Sequence, residues 1–354
     1  MKKNKKKSLF IKCASCGTNM EYSNAKGGLV CLSCGNVKPI QDENNKGKKP
    51  LDDEALELGK IVKNANEKDE EQAVFKCYNC GADIELNAFE ISKVCPYCLS
   101  ANVSDLDLED GLKPDKIIKF AIEKDQVFET AKKNLKRAWF LPNKFKAHPK
   151  PTSVHALYFP SFTFDANSFT KYAGELYCYE NDSDGGSKKR YFRVSGEITM
   201  QHRNTIIECC SALSQSKLNY VLPYNYNSKI DFKKEYLLGY EVERYDNSLE
   251  TGFNNAKSIY ARDIKRAIIK KHNADGEKSL DLDTNYKDKM FDYTILPIYL
   301  LMFDYRGKKY TGYMNGQTGK VGGRFPLSPW KIGFFSFGVV AIILLIIILA
   351  SLAS

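Results

Sequence analysis

The sequence predicts an α+β protein: two small zinc ribbons, a mainly antiparallel α+β domain and one C-terminal transmembrane helix. Three observations carry this. Two units of the form C-x2-C-x14-C-x2-C stand in the first hundred residues. Between about residues 154 and 325, short aromatic-rich alternating runs are separated by turn residues, the pattern of antiparallel strands. Residues 334–353 are twenty positions without a charge.

The cysteines come first. Cys13-Ala-Ser-Cys16 precedes Cys31-Leu-Ser-Cys34 by fourteen residues, and Cys77-Tyr-Asn-Cys80 precedes Cys95-Pro-Tyr-Cys98 by the same interval. A glycine follows the first pair of each unit, Gly17 and Gly81. Four thiolates at this spacing suit one tetrahedral zinc, each pair forming a knuckle and a hairpin joining the two pairs. Eight of the eleven cysteines are used this way. A disulfide framework would need an oxidising compartment, and no N-terminal signal peptide directs this end to one. A redox dithiol normally occurs singly beside a βαβ pattern. The expectation is two structural Zn2+ ions, held by Cys13, Cys16, Cys31 and Cys34 and by Cys77, Cys80, Cys95 and Cys98. Four protein ligands leave no open position for catalysis.

In chain order, residues 1–12 form a basic tail with six lysines and no acid. Without those six, 47 basic face 43 acidic side chains, so a formal net charge of +10 falls to +4. That is a mild excess for a nucleic-acid-binding chain. The tail reads either as a solubilising end or as a lure for anionic headgroups at ~1 kcal/mol per lysine. Residues 13–40 are the first ribbon. Residues 41–72 are rich in Asp, Glu, Asn and Lys, with no aromatic between Tyr22 and Phe75. Such a segment buries too little apolar surface to offset its ordering entropy. A flexible linker is expected there, with a short helix near 52–62, leaving the ribbons to move independently. Residues 75–100 are the second ribbon, followed by an acidic stretch at 104–110.

The α+β domain spans 114–326. A strand is expected at 116–122, then a helix over 125–140 with Asp125 as N-cap, burying Val127, Phe128, Ala131, Leu135, Ala138 and Trp139 and stopped by Pro142. The run 158–164 reads as a strand whose Pro160 favours an edge. Residues 172–179 and 191–202 flank a polar Gly-Gly turn and read as a hairpin. Another strand is expected at 237–245, and an amphipathic helix at 256–271 with Ile259, Tyr260, Ile264, Ala267 and Ile268 on one side. A hairpin follows at 293–305 and 309–315, turning at Arg306-Gly307, and 315–319 is a turn.

The transmembrane helix spans 333–353. At ~1.5 Å per residue, twenty apolar residues cross a hydrocarbon core of ~30 Å. A buried soluble helix would have to be apolar on every side. Trp330 and Lys331 stand where an interfacial aromatic and a snorkelling cation belong. The positive-inside rule then predicts a single-pass cell-membrane protein, its N-terminal bulk in the cytoplasm and a C-terminal tail anchor.

No catalytic motif stands out. Residues 316–321 look like a fragment of a phosphate-binding loop but lack its four-residue gap and its Ser/Thr. None of the four histidines (His148, His155, His202, His272) falls in a zinc-protease pattern. Cys178, Cys209 and Cys210 lie in apolar or strand-like runs where free cysteine is commonly buried. The chain is expected not to be an enzyme.

The order of these parts resembles a family of bacterial membrane proteins, the transcription-factor-IIB-type zinc-ribbon proteins, some of which carry the label primosomal protein N′-like helicase. The marks are Cys77 to Cys98, Tyr158-Phe159-Pro160-Ser161-Phe162 leading to Asp165, Leu237-Leu238-Gly239-Tyr240, Leu296-Pro297-Ile298-Tyr299, and Asn315-Gly316-Gln317-Thr318-Gly319-Lys320 before Pro326. No nucleotide-binding loop supports the helicase label. The resemblance implies a membrane-anchored adaptor linked to envelope stress, with flotillin-like (SPFH-domain) or phage-shock-protein-A-like protein partners besides the lipid bilayer. Exposed knuckle residues such as Tyr78 and Tyr97 would bind. The runner-up is nucleic-acid binding through the ribbons; the span from Cys77 to Cys98 opposes it with one lysine, Lys93, against Asp83, Glu85 and Glu90. A third reading is an enzymatic or ligand site within the α+β domain.

Overall fold

The computed structural model describes residues 8–9, 11–60, 73–76, 83–86, 90–94, 101–104, 112–147, 149–181, 186–211, 213–243 and 245–353. After β1 (Ser8–Leu9), a small antiparallel sheet forms from β2 (Met20–Ser23), β3 (Gly28–Cys31) and β4 (Val37–Pro39). Met20 lies opposite Cys31 and Tyr22 opposite Leu29, and all four are buried on one face. This is the period-2 pattern of a half-buried strand pair.

Residues 41–60 depart from the expectation of a flexible linker. They run as a strap along the α+β domain: β5 (Lys49–Pro50) pairs with a central strand at Met290 and Phe291. The helix α1 (Asp53–Lys60) follows, capped by Asp52, whose carboxylate accepts from Ala55 N. Gly59 lies so close to Leu249 that a Cβ would sit 2.6 Å from the Leu249 Cβ. Polar bonds hold the strap. Lys116 Nζ, 1 % exposed, reaches Asn44 Oδ1 and Asp231 Oδ1, both at 2.7 Å. Asp231 also accepts from the amides of Asn45 and Lys46. Lys48 pairs with Asp165, Lys49 with Asp115 and Lys119 with Asp42. Hydropathy does not see these ion pairs, which act beside the burial of Leu51 and Ala55 in the main core.

Four strands flank the second cysteine set. β6 (Ala73–Lys76) pairs with β7 (Asp83–Leu86), and β8 (Glu90–Val94) with β9 (Ala101–Ser104). The two antiparallel hairpins bracket the two C-x2-C pairs, while Cys77, Cys80, Cys95 and Cys98 lie outside the described residues. β1 pairs with β9.

The domain proper opens with β10 (Lys116–Ile117), a single 3-10 turn at Lys124–Gln126, α2 (Val127–Arg137) and α3 (Asn143–Ala147). Val127, Ala131 and Leu135 are buried as their spacing predicts. Gln126 rather than Asp125 is the N-cap of α2, and Glu123 caps the preceding turn in a capping box. Trp139 is 66 % exposed and Ala138 is also exposed, against expectation. Ala138 is already extended, with ψ 103°, so the helical face ends at Leu135.

Next come β11 (Ser153–Asn181), β12 (Ser187–Glu208), α4 (Gln215–Val221), β13 (Ile230–Asp231), β14 (Glu241–Glu243), α5 (Leu249–Lys271), β15 (Gly276–Tyr305), β16 (Lys308–Asn315) and β17 (Val321–Gly323). β11 pairs along most of its length with β15 on one side and, from Ser161 on, with β12 on the other. These long strands build an arm, extended by β16 and β17 and by the parallel neighbours β10 and β14. β14 also joins β8, tying the second cysteine hairpin to the sheet. The two expected hairpins form, and Arg306 and Gly307 take positive φ at the second. Pro160 is not at an edge. It falls between Tyr158, where pairing with β14 ends, and Ser161, where pairing with β12 begins. A residue without an N–H costs no ladder bond there.

The arm bulges at one level on all three strands. Register shifts at Phe164–Ala166 against β12 and at Asp165–Asn167 against β15 coincide with positive φ at Asn204 and Asp288, residue types that tolerate it. Asp165 accepts from Asn204 N and Lys48 Nζ, so the strap pins the bend. Beyond it α5 covers the arm. Ser248 caps that helix, and Phe253, Ala256, Tyr260, Ile264 and Ile268 are buried against Phe164, Tyr172, Leu176, Val194 and Leu280. The helix begins seven residues before the expected start.

Residues 237–245 are largely not a strand. Lys234–Leu237 form a 3-10 turn and Gly239 has φ +95°. Only Glu241–Glu243 pair as β14. Finally α6 (Pro329–Ala353) leaves the domain as one helix, long and apolar enough to cross a membrane, with none of its apolar window buried.

Two outcomes follow. Lys116→Met leaves Asp231 buried without its cation and is expected to cost about 3–5 kcal/mol, whereas Lys116→Met with Asp231→Leu costs much less; denaturant unfolding checks both. Asp231 also sets a pH dependence. Burial alone would raise its carboxyl, but Lys116 and the Asn45 and Lys46 amides together hold it below its ordinary value. That contribution is complete above about pH 4 and disappears as pH falls through the lowered value. Amide exchange at Asn45 and Lys46, relative to unfolded-chain rates, is expected to lose protection in that acid window.

Candidate metal centre

The loop before β2 and the turn after β3 each carry a C-x2-C pair. Gly17 N bonds Cys13 O and Gly35 N bonds Cys31 O, both at 2.9 Å. Gly17 and Gly35 have φ of 72° and 74°, the left-handed conformation that closes a knuckle and suits glycine. Cys13 N and Cys31 N bond the carbonyls of Thr18 and Asn36. Each pair is thus folded by its own backbone, and β2–β3 pairing brings the two together.

The four sulfurs of Cys13, Cys16, Cys31 and Cys34 lie within 4.8 Å of one another. Cys13 Sγ is 3.5 Å from Cys34 Sγ, and Cys16 Sγ is 3.4 Å from Cys31 Sγ. Four sulfurs about 2.3 Å from a shared tetrahedral centre would lie about 3.8 Å apart, so the donor set fits a metal ion. Cys13 and Cys31 are buried, and Cys16 and Cys34 are exposed. Asn36 Nδ2 faces Cys13 Sγ at 3.9 Å and donates to Ser15 Oγ at 2.9 Å.

The thiols are electrostatically unequal. The hydroxyl and backbone N–H of Thr18 lower Cys16 to about 6. The backbone around Ser15 and Cys16 lowers Cys13, against its desolvation. The Asn36 backbone favours a Cys34 thiolate, but the other three sulfurs outweigh it and push Cys34 up to about 12. Four thiolates this close repel, and a bound divalent cation is what lets all of them ionise. Closed coordination by four cysteines supplies no position for substrate.

The sheet is mounted on the domain. Tyr22 N donates to Leu238 O at 2.8 Å, and the Tyr22 ring meets Tyr236 edge-on at 5.0 Å. Glu123 accepts from Ser23 Oγ and Ala25 N. A Cβ at Gly239 would lie 2.8 Å from Glu21 Oε2, which adds to the demand for glycine that the positive φ already makes. Sequence reading missed this seat, although Leu237-Leu238-Gly239-Tyr240 had stood out as a motif.

Other groups settle into structural roles. His202 stacks on Tyr260 at 4.0 Å and bonds Ser168, and burial lowers its pKa. His272 bonds Tyr172 OH, and His155 faces Glu241. His148, Tyr78 and Tyr97 lie outside the described residues. Cys209 and Cys210 are buried, with burial pushing the Cys209 thiol up, and Cys178 Sγ lies 3.4 Å from Asn273 O. Asn315 Oδ1 accepts from Gln317 N and Thr318 N, closing a turn between β16 and β17.

No family model matches the chain. It is similar to the uncharacterized protein YdjG of Bacillus subtilis (strain 168), 26 % identical over 338 residues and covering 94 % of each chain. No solved structure matches.

Replacing Cys13 by Ser is expected to remove about one metal equivalent per chain, read by elemental analysis of purified protein, and to expose Tyr22 and Tyr236 to proteolysis around the seat. Unchanged metal content would refute the assignment of this cluster.

Proposed function

We propose that the chain is a non-enzymatic adaptor tethered to the cell membrane, holding two zinc ribbons on the cytoplasmic side to recruit partner proteins. One observation carries this reading: a closed four-cysteine cluster seated on a domain whose chain continues into an exposed apolar helix. Structural zinc explains four cysteine donors with no open position. A reducing cytoplasm suits free thiols, and the lysines before the helix suit the inner leaflet. Cys77, Cys80, Cys95 and Cys98 would hold the second ion, between the β6–β7 and β8–β9 hairpins. Leu32, 73 % exposed between Cys31 and Cys34, is the side chain assigned in this reading to the partner contact. Flotillin-like or phage-shock-protein-A-like proteins, implied by the family resemblance, are the partner class sought.

The test is recovery of the tagged protein from detergent-solubilised membranes, with and without nuclease, followed by mass spectrometry. Nuclease-resistant, stoichiometric membrane-associated proteins are expected. Leu32→Glu should lower their recovery about tenfold without changing metal content, the loss expected when an interface anchor is replaced by a charge. Nucleic acid lost on nuclease treatment would overturn the adaptor reading in favour of nucleic-acid binding. Recovery of neither would move the function into the α+β domain, where Thr294 Oγ1, Asp292 Oδ1 and Glu208 Oε2 lack hydrogen-bond partners among the described residues.

A further inference from the structure

The base of α6 is not isolated from the domain. Lys331 Nζ donates to Leu141 O at 2.8 Å and to Asn143 Oδ1 at 2.6 Å, and lies 5.8 Å from the centre of the Trp139 ring. Ser328 N donates to Phe140 O. These bonds fix the α2–α3 connection beside the first turn of the helix. One turn further on, Phe140 meets Phe335 edge-on at 5.5 Å between centroids. Phe335 belongs to the uncharged run, so Phe140 shares the depth of its first apolar turn.

The surface around this contact has a matching composition. Trp139 is 66 % exposed and Trp330 79 % exposed, with Leu327, Phe334 and Phe335 also open. From Ala131 to Lys150 there are seven Lys or Arg and no Asp or Glu. Lys133, Lys136, Arg137, Lys144 and Lys150 are exposed, and among the described residues none of them pairs with a carboxylate. Exposed aromatics in water are unfavourable, whereas tryptophan at a headgroup boundary is favourable. Unpaired cations near an anionic leaflet each gain attraction within a Debye length.

We infer that Trp139, Phe140 and the basic side chains of α2 and α3 form a second membrane contact that seats the domain on an anionic bilayer surface. This rests on α6 being the anchor. α6 supplies attachment, and the Trp139–Phe140 wedge fixes how the domain meets the headgroups. Ser328 couples the two by donating to Phe140 O, and Lys331 by bonding Leu141 O and Asn143 Oδ1 just beyond the wedge.

The chain has two tryptophans, so each can be read alone. Full-length protein carrying Trp330→Phe is reconstituted into vesicles of phosphatidylcholine and phosphatidylglycerol. Trp139 is expected to lose most of its emission to acyl chains brominated near the headgroups and to be shielded from aqueous acrylamide. The Trp139→Phe chain reports Trp330, and therefore α6. Lipid quenching of Trp330 with Trp139 still open to acrylamide would overturn this inference and leave the anchor standing. Lipid quenching of neither would overturn both. Lys136→Glu with Arg137→Glu and Lys144→Glu is expected to reopen Trp139 to acrylamide while Trp330 stays protected. No change in that variant would overturn the assignment to anionic headgroups.

Discussion

The pairing of Lys116 with Asp231 is the constraint on which the assembly turns. A lysine 1 % exposed and an aspartate 5 % exposed would each be costly alone. Together they sit on the antiparallel pair β10–β13, and β10 also runs parallel to the central strand β15. Their remaining bonding capacity is spent on the strap: Asn44 accepts from the lysine, and two strap amides donate to the aspartate. The same pair therefore closes the sheet and secures the segment that links the first cysteine sheet to α1. Replacing it with apolar residues keeps the core packed but removes the three polar bonds that place Asn44, Asn45 and Lys46.

The cysteine sheet is constrained at two levels. Knuckle glycines and β2–β3 pairing gather four thiols, and the opposite end of the same hairpin offers Glu21, Tyr22 and Ser23 to the domain. Tyr22 and Leu29 belong to the main buried cluster of the protein. Loosening the thiol cluster therefore weakens a hairpin that contributes to the domain's own core. The exposed Leu32 lies within this cysteine loop and so moves only with the hairpin.

Much of this was legible. Identical cysteine spacing located the cluster, Gly-containing turns located both hairpins, helical periodicity located α2 and α5, and the twenty-residue uncharged run located α6. The misses share a cause. Composition gave residues 41–51 no reason to be ordered, because charged partners distant in sequence, Asp115, Lys116, Asp165 and Asp231, hold them; the short helix expected near 52–62 is α1. Alternation over 237–245 suggested a strand, but Gly239 was there for a positive φ and a close approach by Glu21. Trp139 fitted the helical repeat that ended at Leu135, and only the extended Ala138 turns it outward.

Trp139 also shows why an exposed apolar residue needs a location before it has a meaning. Along a soluble helix it would be an ordinary surface aromatic. Beside Lys331 and Phe335, with five exposed basic residues behind it that pair with no carboxylate among the described residues, the same ring stands where the chain passes from a charged domain to an uncharged helix. The excess charge of the chain is uneven: six lysines lie in residues 1–12, and seven basic residues lie between Ala131 and Lys150. A soluble domain has no need to place an acid-free basic run against the root of an apolar helix. A domain held at a leaflet does, because the attraction decays within a Debye length and acts only on charges already kept at the surface.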